Sequence, residues 1–259
     1  MTSTSRRVRR VPAAICRAAG AALTLLCLLG GFGLRPPQTA HAASCADIDL
    51  AFARGTNEPA GLGDVGKSFT DAVKKRLQGA KGMSITTYGV NYPASVDFIQ
   101  AGKGSDDLSK HIQKTAADCP KMKFVVGGYA QGAAVVDVLL GDTPPGTYTF
   151  TNPLPAGLEQ RIVSIVLFGD PKNIRPPGVD ANLAIREDLL HKVVDVCNQG
   201  DFFCDPQGGD IVSHTTYARD KLTDGVAETV VERLVAELGN GCQGINSTAD
   251  TSTSCSPTA

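Results

Sequence analysis

Residues 124–132 combine a short apolar run with a glycine-rich bend that places one side chain at the apex of a tight turn. They read Phe-Val-Val-Gly-Gly-Tyr-Ala-Gln-Gly, and an apolar helix is predicted directly after them. Glycines suit positions 128 and 132 because a Cβ there would strike the adjacent strand or helix. In a nucleophile elbow the apex residue attacks and the next N–H faces the oxyanion. Here the apex is Ala130, so the motif lacks a nucleophilic atom, and by itself it fits an ordinary strand-to-helix turn equally well.

Candidate acid and base residues lie nearer the C-terminus. His214 follows Asp201 by 13 residues, and Asp201 lies in a short cysteine-bounded loop, Cys197–Cys204. A carboxylate that orients an imidazole is the pair that activates a nucleophile. His111 is expected on a helix surface, and His191 precedes a strand. The residues alone do not decide which acid pairs with His214, since the neighbouring candidates are Asp195, Asp205 and Asp210.

Short apolar strands alternate with amphipathic helices between residues 48 and 238. Strands are predicted at 48–53, 85–90, 124–127, 162–168 and 193–196. Helices are predicted at 65–77, after a cap at Ser105, at 131–140, and along a stripe formed by Val226, Val230, Leu234 and Leu238. This alternation predicts one α/β domain whose sheet has about five mostly parallel strands with helices on both faces.

The two ends of the chain differ in composition from this domain. Four arginines between residues 6 and 10 precede an apolar run from Ala18 to Leu34 and the small-residue pattern Ala40-His41-Ala42. Residues 1–42 are therefore predicted to be a cleaved signal peptide of a secreted protein. Residues 43–239 form the predicted domain, and residues 240–259 form a Ser/Thr-rich tail.

Charge and cysteine content exclude several function classes. Removing residues 1–42 takes away six arginines and no acid, which leaves 19 basic against 26 acidic residues. This acidic balance argues against nucleic acid and against a basic membrane-binding patch. No second apolar stretch could span a bilayer, so we expect no membrane insertion, and nothing requires more than a monomer. Six cysteines follow the predicted export signal, which indicates disulfides, and the absence of a CxxC pair argues against a zinc site. They are Cys45, Cys119, Cys197, Cys204, Cys242 and Cys255.

Four segments together resemble the cutinase family, and in particular the actinobacterial cutinase-like serine esterases. They are Phe-Ala-Arg-Gly-Thr-Asn-Glu-Pro from Phe52, Gly-Gly-Tyr-Ala-Gln-Gly-Ala from Gly127, Cys-Asn-Gln-Gly-Asp-Phe-Phe-Cys from Cys197, and Ser213-His214. They occur in the family's order, and the likeness extends from Cys45 to Leu238. It implies a single-domain α/β-hydrolase that cleaves carboxylic or lipid esters by a Ser-Asp-His mechanism.

The resemblance assigns roles residue by residue. It places the nucleophile at Ala130, where the family has serine, the acid at Asp201 and the base at His214. It places the oxyanion hole at Thr56 and the N–H of Gln131. It implies disulfides Cys45–Cys119 and Cys197–Cys204, which leave Cys242 to pair with Cys255. No metal or organic cofactor is implied, and the implied partner is an ester or acyl-lipid substrate.

The alanine has a direct consequence for activity. Loss of the nucleophile costs about 10⁶ in turnover in a serine hydrolase, so the chain is predicted to be inactive or nearly so. Tyr129 and Ser213 are not expected to replace the missing hydroxyl. The alternative is an extracellular protein that binds acyl esters without cleaving them. Natural divergence, an engineered exchange and a sequence error could each explain the alanine, and the intact export segment favours divergence.

Overall fold

The computed structural model describes residues 45–79, 82–142, 147–171 and 183–239. The chain divides into two compact units, residues 1–42 and 43–259, and all described residues belong to the second unit. The predicted signal peptide, the predicted tail and the proposed Cys242–Cys255 pair lie outside the described residues.

Five parallel strands form one sheet in the order β2-β1-β3-β4-β5. Because parallel strands all end at the same edge of a sheet, the loops that follow β1, β3, β4 and β5 gather there. The strands are β1 (Ile48–Ala53), β2 (Ile85–Gly89), β3 (Lys123–Tyr129), β4 (Ile162–Phe168) and β5 (Val193–Val196).

Helices cover both faces of this sheet. On one face α1 packs against α5, and on the other α2 packs against α3. Among the described residues, no helix combines the length and apolar character needed to cross a bilayer. The helices are α1 (Gly63–Gly79), α2 (Ala101–Asp118), α3 (Gln131–Leu140), the single turn α4 (Ile211–His214) and α5 (Leu222–Gly239).

The central strands supply a separate apolar core to each face, because successive side chains of a strand point to opposite sides. Phe52 of β1 and Phe168 of β4 pack with Phe69 of α1 on the α1/α5 face, with ring centroids 5.6–6.2 Å apart. Phe124 and Leu167 point to the α2/α3 face. This two-sided burial explains why β1, β3 and β4 are almost continuously apolar.

The fold class predicted from the sequence is confirmed, and one helix start is wrong. The predicted limits of β1, α3, β4 and β5 agree with the structure. Ser105, however, is not a helix cap, because α2 already begins at Ala101. The Ser105 hydroxyl is buried and donates to the carbonyls of Ala101 (3.2 Å) and Val135 (2.8 Å), so its role is to join α2 to α3.

Candidate active site

The bend between β3 and α3 has the geometry of a nucleophile elbow. β3 ends at Tyr129, α3 begins at Gln131, and Ala130 between them has φ 52° and ψ −118°. A residue with a side chain rarely adopts a positive φ. Such strained backbone conformations are typical of functional sites. The Ala130 N–H donates to the Phe168 carbonyl at 2.9 Å, which ties the apex to the end of β4.

Two glycines allow the chain to approach itself closely on either side of the apex. A Cβ on Gly128 would lie 2.0 Å from the carbonyl oxygen of Gly132, in the first turn of α3. A Cβ on Gly132 would lie 1.9 Å from the carbonyl oxygen of Ala53, at the end of β1. Any larger residue would therefore force α3 away from the sheet, which is the physical reason for the Gly-x-x-x-Gly spacing.

Asp201 and His214 form a buried pair. The Oδ2 atom of Asp201 lies 2.7 Å from Nδ1 of His214, and both residues are buried. The Asp201 Oδ1 atom accepts the Phe203 N–H at 2.8 Å. His214 ends α4, whose cap Asp210 accepts the N–H groups of Val212 and Ser213. Because Nδ1 faces the carboxylate, Nε2 is the ring atom left to exchange a proton with a reacting group.

The imidazole of His214 lies against Tyr129, which precedes the elbow apex, and beside Gly169, which follows the residue that accepts the Ala130 N–H. Its ring centroid lies 5.1 Å from the ring of Tyr129, which precedes Ala130. A Cβ placed on Gly169 would lie 3.0 Å from His214 Cε1, and Gly169 directly follows the carbonyl that Ala130 binds. Phe203 covers the ring with its centroid at 4.3 Å. The structure therefore brings Ala130, Asp201 and His214 to one place at the edge where the strands end.

Neither neighbouring hydroxyl stands in for a serine at the apex. The Tyr129 hydroxyl donates to the carbonyl of His214 at 2.6 Å, and burial raises the pKa of this phenol above its usual value. The Ser213 hydroxyl donates to Asp210 at 2.8 Å. Both groups are engaged in holding the histidine segment.

Thr56 and Gln131 also meet at this edge. The Thr56 hydroxyl donates to Oε1 of the buried Gln131 side chain at 3.4 Å. Gln131 is the first residue of α3, and the first N–H groups of a helix have no intrahelical acceptor and carry partial positive charge. Both residues assigned to the oxyanion hole thus lie together next to Ala130.

The loop that carries Thr56 is held by two charged side chains that sequence reasoning missed. Buried Arg54 donates to the carbonyls of Glu58 (2.9 Å) and Tyr92 (2.8 Å). The Glu58 carboxylate accepts the N–H groups of Gly55 (2.6 Å) and Asp64 (2.8 Å). The sequence does place an arginine and a glutamate on either side of Gly-Thr-Asn, but nothing in it distinguishes these two residues from ordinary surface charges.

Two disulfides have the pairing that the resemblance implied. Cys45–Cys119 joins the segment before β1 to the residue that follows α2. Cys197–Cys204, with a sequence separation of 7, closes the loop that contains Asp201. These two sulfurs and Asp201 are also a possible metal-ligand group in the described part of the chain, but disulfide sulfurs are not thiolate ligands.

The other acids and histidines have separate surroundings. Asp205 accepts the backbone N–H groups of Gln207 and Gly200, which lower the pKa of its carboxyl. The Ser213 hydroxyl and the Val212 N–H lower the pKa of Asp210 in the same way. His111, expected on a helix surface, is half-buried on α2, where it stacks on Tyr88 with centroids 3.7 Å apart and its Nε2 lies 2.8 Å from Asp49. His191 is exposed. Of the candidate acids, Asp201 is the one hydrogen-bonded to His214.

Comparison with known proteins agrees with this geometry. The family model "Cutinase" matches residues 44–234. The chain is 38% identical to "Phospholipase Culp4" of Mycobacterium tuberculosis over 87% of this chain and 92% of that protein. It is 37% identical to "Probable carboxylesterase Culp3" of the same organism over 84% of this chain and 80% of that protein.

A solved structure extends the likeness to three dimensions. A cutinase of Trichoderma reesei, in complex with a C11Y4 phosphonate inhibitor, is 34% identical and superposes with a TM-score of 0.55 over 73% of this chain and 77% of that one. The family match and the relatives above 30% identity cover most of the described domain. With its parallel five-stranded sheet and helices on both faces, the chain belongs to the cutinase family of α/β-hydrolases.

Proposed function

We propose that this chain is a secreted cutinase-type protein whose site is built for carboxylic ester hydrolysis but turns esters over very slowly, because Ala130 occupies the nucleophile position. The observation that carries this proposal is the buried Asp201–His214 pair, 2.7 Å apart, with the His214 ring packed against Tyr129, the residue before the elbow apex. In the proposed roles His214 is the general base, Asp201 orients it, and a methyl group stands where the attacking oxygen belongs.

The oxyanion side of the proposed site is supported by Gln131. Its backbone N–H starts α3, and its buried side-chain Nε2 has no hydrogen-bond partner among the described residues. A buried donor without a partner is unfavourable, so a polar oxygen of a bound ester would gain by accepting from it. We assign the carbonyl oxygen of the ester to this region, next to the Thr56 hydroxyl.

The surroundings of His214 suit an apolar acyl or alkyl chain. Phe202, Ile211 and Val212 lie in the loop and the short helix that carry Asp201 and His214, and their side chains are 44–63% exposed. Apolar side chains that remain exposed beside a cleft are typical of surfaces that bind apolar ligands. Relatives named as a phospholipase and a carboxylesterase are consistent with an ester of this kind.

Extracellular location is part of the proposal. The two disulfides in the described residues support it, because disulfides persist mainly in oxidising compartments such as the one that an export segment would lead to. A monomer suffices for the site, since all of its proposed residues come from one chain.

One exchange tests the catalytic proposal. The purified mature chain should hydrolyse p-nitrophenyl butyrate only weakly, and Ala130→Ser should raise kcat/KM by about 10³-fold or more because it restores the nucleophile. The matched control is Ala130→Ser with His214→Ala, which should lose the gain. If Ala130→Ser leaves kcat/KM at the level of the native chain, the site does not catalyse ester hydrolysis.

The second candidate function is ester binding without turnover, which the exposed apolar side chains near His214 favour. It predicts that the native chain binds p-nitrophenyl butyrate, detected by calorimetry during the period before measurable hydrolysis. Retained binding together with an inactive Ala130→Ser variant would favour this second function over the first.

A further inference from the structure

Asp201 has a third partner that the acid–base scheme does not use. The Tyr217 hydroxyl lies 2.6 Å from Asp201 Oδ2, the same oxygen that lies 2.7 Å from His214 Nδ1. The other carboxylate oxygen accepts the Phe203 N–H. One oxygen of Asp201 is therefore shared between a phenol and an imidazole.

The hydrogen-bond donor direction of Tyr217 is fixed by its surroundings. The side chain is fully buried, and its ring packs on Phe168 (centroids 6.1 Å apart) and Tyr129 (5.6 Å). The hydroxyl oxygen accepts the Asn198 N–H at 3.0 Å. A phenol has a single proton, and the other acceptor nearby is the disulfide sulfur of Cys204 at 3.4 Å, which is much weaker than a carboxylate. The proton is therefore directed at Asp201.

The Tyr217 phenol also keeps its proton at the pH values where a histidine titrates. Burial raises the pKa of Tyr217 far above its usual value, and the hydrogen bond to Asp201 raises it further. Tyr217 is thus a permanent donor to the carboxylate.

We propose that Tyr217 is a positioning residue that fixes the Asp201 carboxylate toward His214 and, by withdrawing negative charge from the shared oxygen, sets the pH at which the imidazole accepts a proton. This inference rests on the proposed function of the pair. A carboxylate that accepts a second strong hydrogen bond attracts an imidazolium less, so the histidine stays neutral, and able to act as a base, to lower pH.

Other titratable groups near the pair keep a constant charge in this range. Hydrogen bonds from the loop backbone, Ser213 and Thr216 lower the pKa of the nearby carboxyls, so these stay ionised: Asp205, Asp210 and Asp220. Burial raises the pKa of Tyr129, so this phenol stays neutral. Three further acids lie on elements around the pair: Glu58, whose carboxylate accepts two backbone N–H groups, and Asp170 and Asp195, which have contacts of their own.

The first test measures the pH dependence of kcat/KM in the Ala130→Ser background. Adding Tyr217→Phe removes one donor from Asp201 and preserves the ring that packs on Phe168. The acidic limb of the profile should move to higher pH by roughly 0.5–1 unit, since one hydrogen bond to the carboxylate is lost. The plateau value should fall roughly threefold to tenfold, because the carboxylate is less restrained.

Two further tyrosine variants separate this effect from a general loss of order. Tyr88→Phe is the matched control, because Tyr88 also donates to an aspartate oxygen, Asp107 Oδ2 at 2.8 Å, but near β2. It should leave the profile unchanged. Tyr129→Phe removes the hydrogen bond to the His214 carbonyl without touching Asp201, and it should lower the plateau without moving the limb.

A second readout does not depend on activity. In the mature native chain, the midpoint of the His214 imidazole titration, followed by NMR at Cε1, should move to higher pH in Tyr217→Phe and stay unchanged in Tyr88→Phe. An unchanged midpoint overturns the role of Tyr217, as does an unmoved limb in an active Ala130→Ser background. An inactive Ala130→Ser chain whose midpoint still moves overturns the proposed function, and with it the role of Tyr217 in catalysis, while the effect of Tyr217 on the Asp201–His214 pair stands.

Discussion

Ala130 keeps a backbone conformation that its own side chain does not favour. Holding a residue with a Cβ at φ 52° and ψ −118° costs about 1–3 kcal/mol and persists only where the surroundings impose it. Here they do so through the hydrogen bond to Phe168 and the close contacts of Gly128 and Gly132. A serine at this position would therefore receive the elbow geometry without any backbone change.

Any hydrolysis by the native chain should use water in place of serine. Its rate should not exceed about 10³–10⁴ times the uncatalysed rate, the level that survives in a serine hydrolase without its nucleophile. His214 would take a proton from the attacking water and return it to the leaving group. His214→Ala should remove most of this activity, whereas the exposed His191→Ala should not, as measured with p-nitrophenyl butyrate at equal protein concentration.

The same measurement can reveal an unrecognised nucleophile. Water attack produces no acyl-enzyme, so the native chain should show no initial burst and no covalent adduct with a phosphonate ester. A stoichiometric burst or adduct in the native chain would contradict the direct role of water.

For single residues, the sequence showed which residue types could form the site but not which of several acids pairs with His214. Three acids besides Asp201 were open until the family resemblance favoured Asp201, because loop acids that bind backbone N–H groups look the same in a sequence. Tyr217 was missed altogether. Its position three residues after His214 carries no signal, and its hydroxyl meets Asp201 only through the path of the folded loop.

The elbow depends on how closely β3, α3 and β1 approach one another. Gly128→Ala places a Cβ 2.0 Å from backbone that cannot move independently, so it should lower the free energy of unfolding by about 2–3 kcal/mol. Chemical unfolding of the mature chain measures the loss.

A glycine in open space provides the control for this exchange. Gly225 lies in α5, and a Cβ there would meet no atom within 4 Å. Gly225→Ala should leave the chain equally stable or stabilise it by about 0.5–1 kcal/mol, since alanine favours a helix. Equal effects of the two exchanges would mean that the elbow does not require its glycine.

Helix and strand limits were predictable where burial and local pattern agree. β1 and β4 are buried on both faces, so their apolar runs coincide with the strands themselves. The start of α2 was misjudged because Ser105 resembles a cap, whereas contact with α3 buries it inside the helix. Tertiary packing overrode the local signal there.

Burial affects the phenol groups of the whole molecule. The chain has five tyrosines, and burial is the largest cause of a raised pKa in every one: Tyr88, Tyr92, Tyr129, Tyr148 and Tyr217. The pKa rises from about 10 to about 12 for Tyr88 and Tyr148, and further for the other three. The folded chain therefore holds its phenol protons more tightly than the unfolded chain.

This difference makes the fold sensitive to alkali. Below pH 10 the phenols are protonated in both the folded and the unfolded state, so the stability they confer is fully present. Above pH 10 the unfolded chain loses its phenol protons first, and the free energy of unfolding falls as the pH rises toward the pKa values of the folded chain. At pH 10.5 an unfolded chain should have roughly three quarters of its tyrosines ionised, and the folded chain almost none. Absorbance at 295 nm measures the ionised tyrosine in buffer (folded chain) and in guanidinium (unfolded chain), and circular dichroism recorded promptly on the same samples measures the remaining structure. Phenolate absorbance should appear together with loss of structure; a tyrosine that ionises near pH 10 in an intact fold would show that these hydroxyls are not buried as a set.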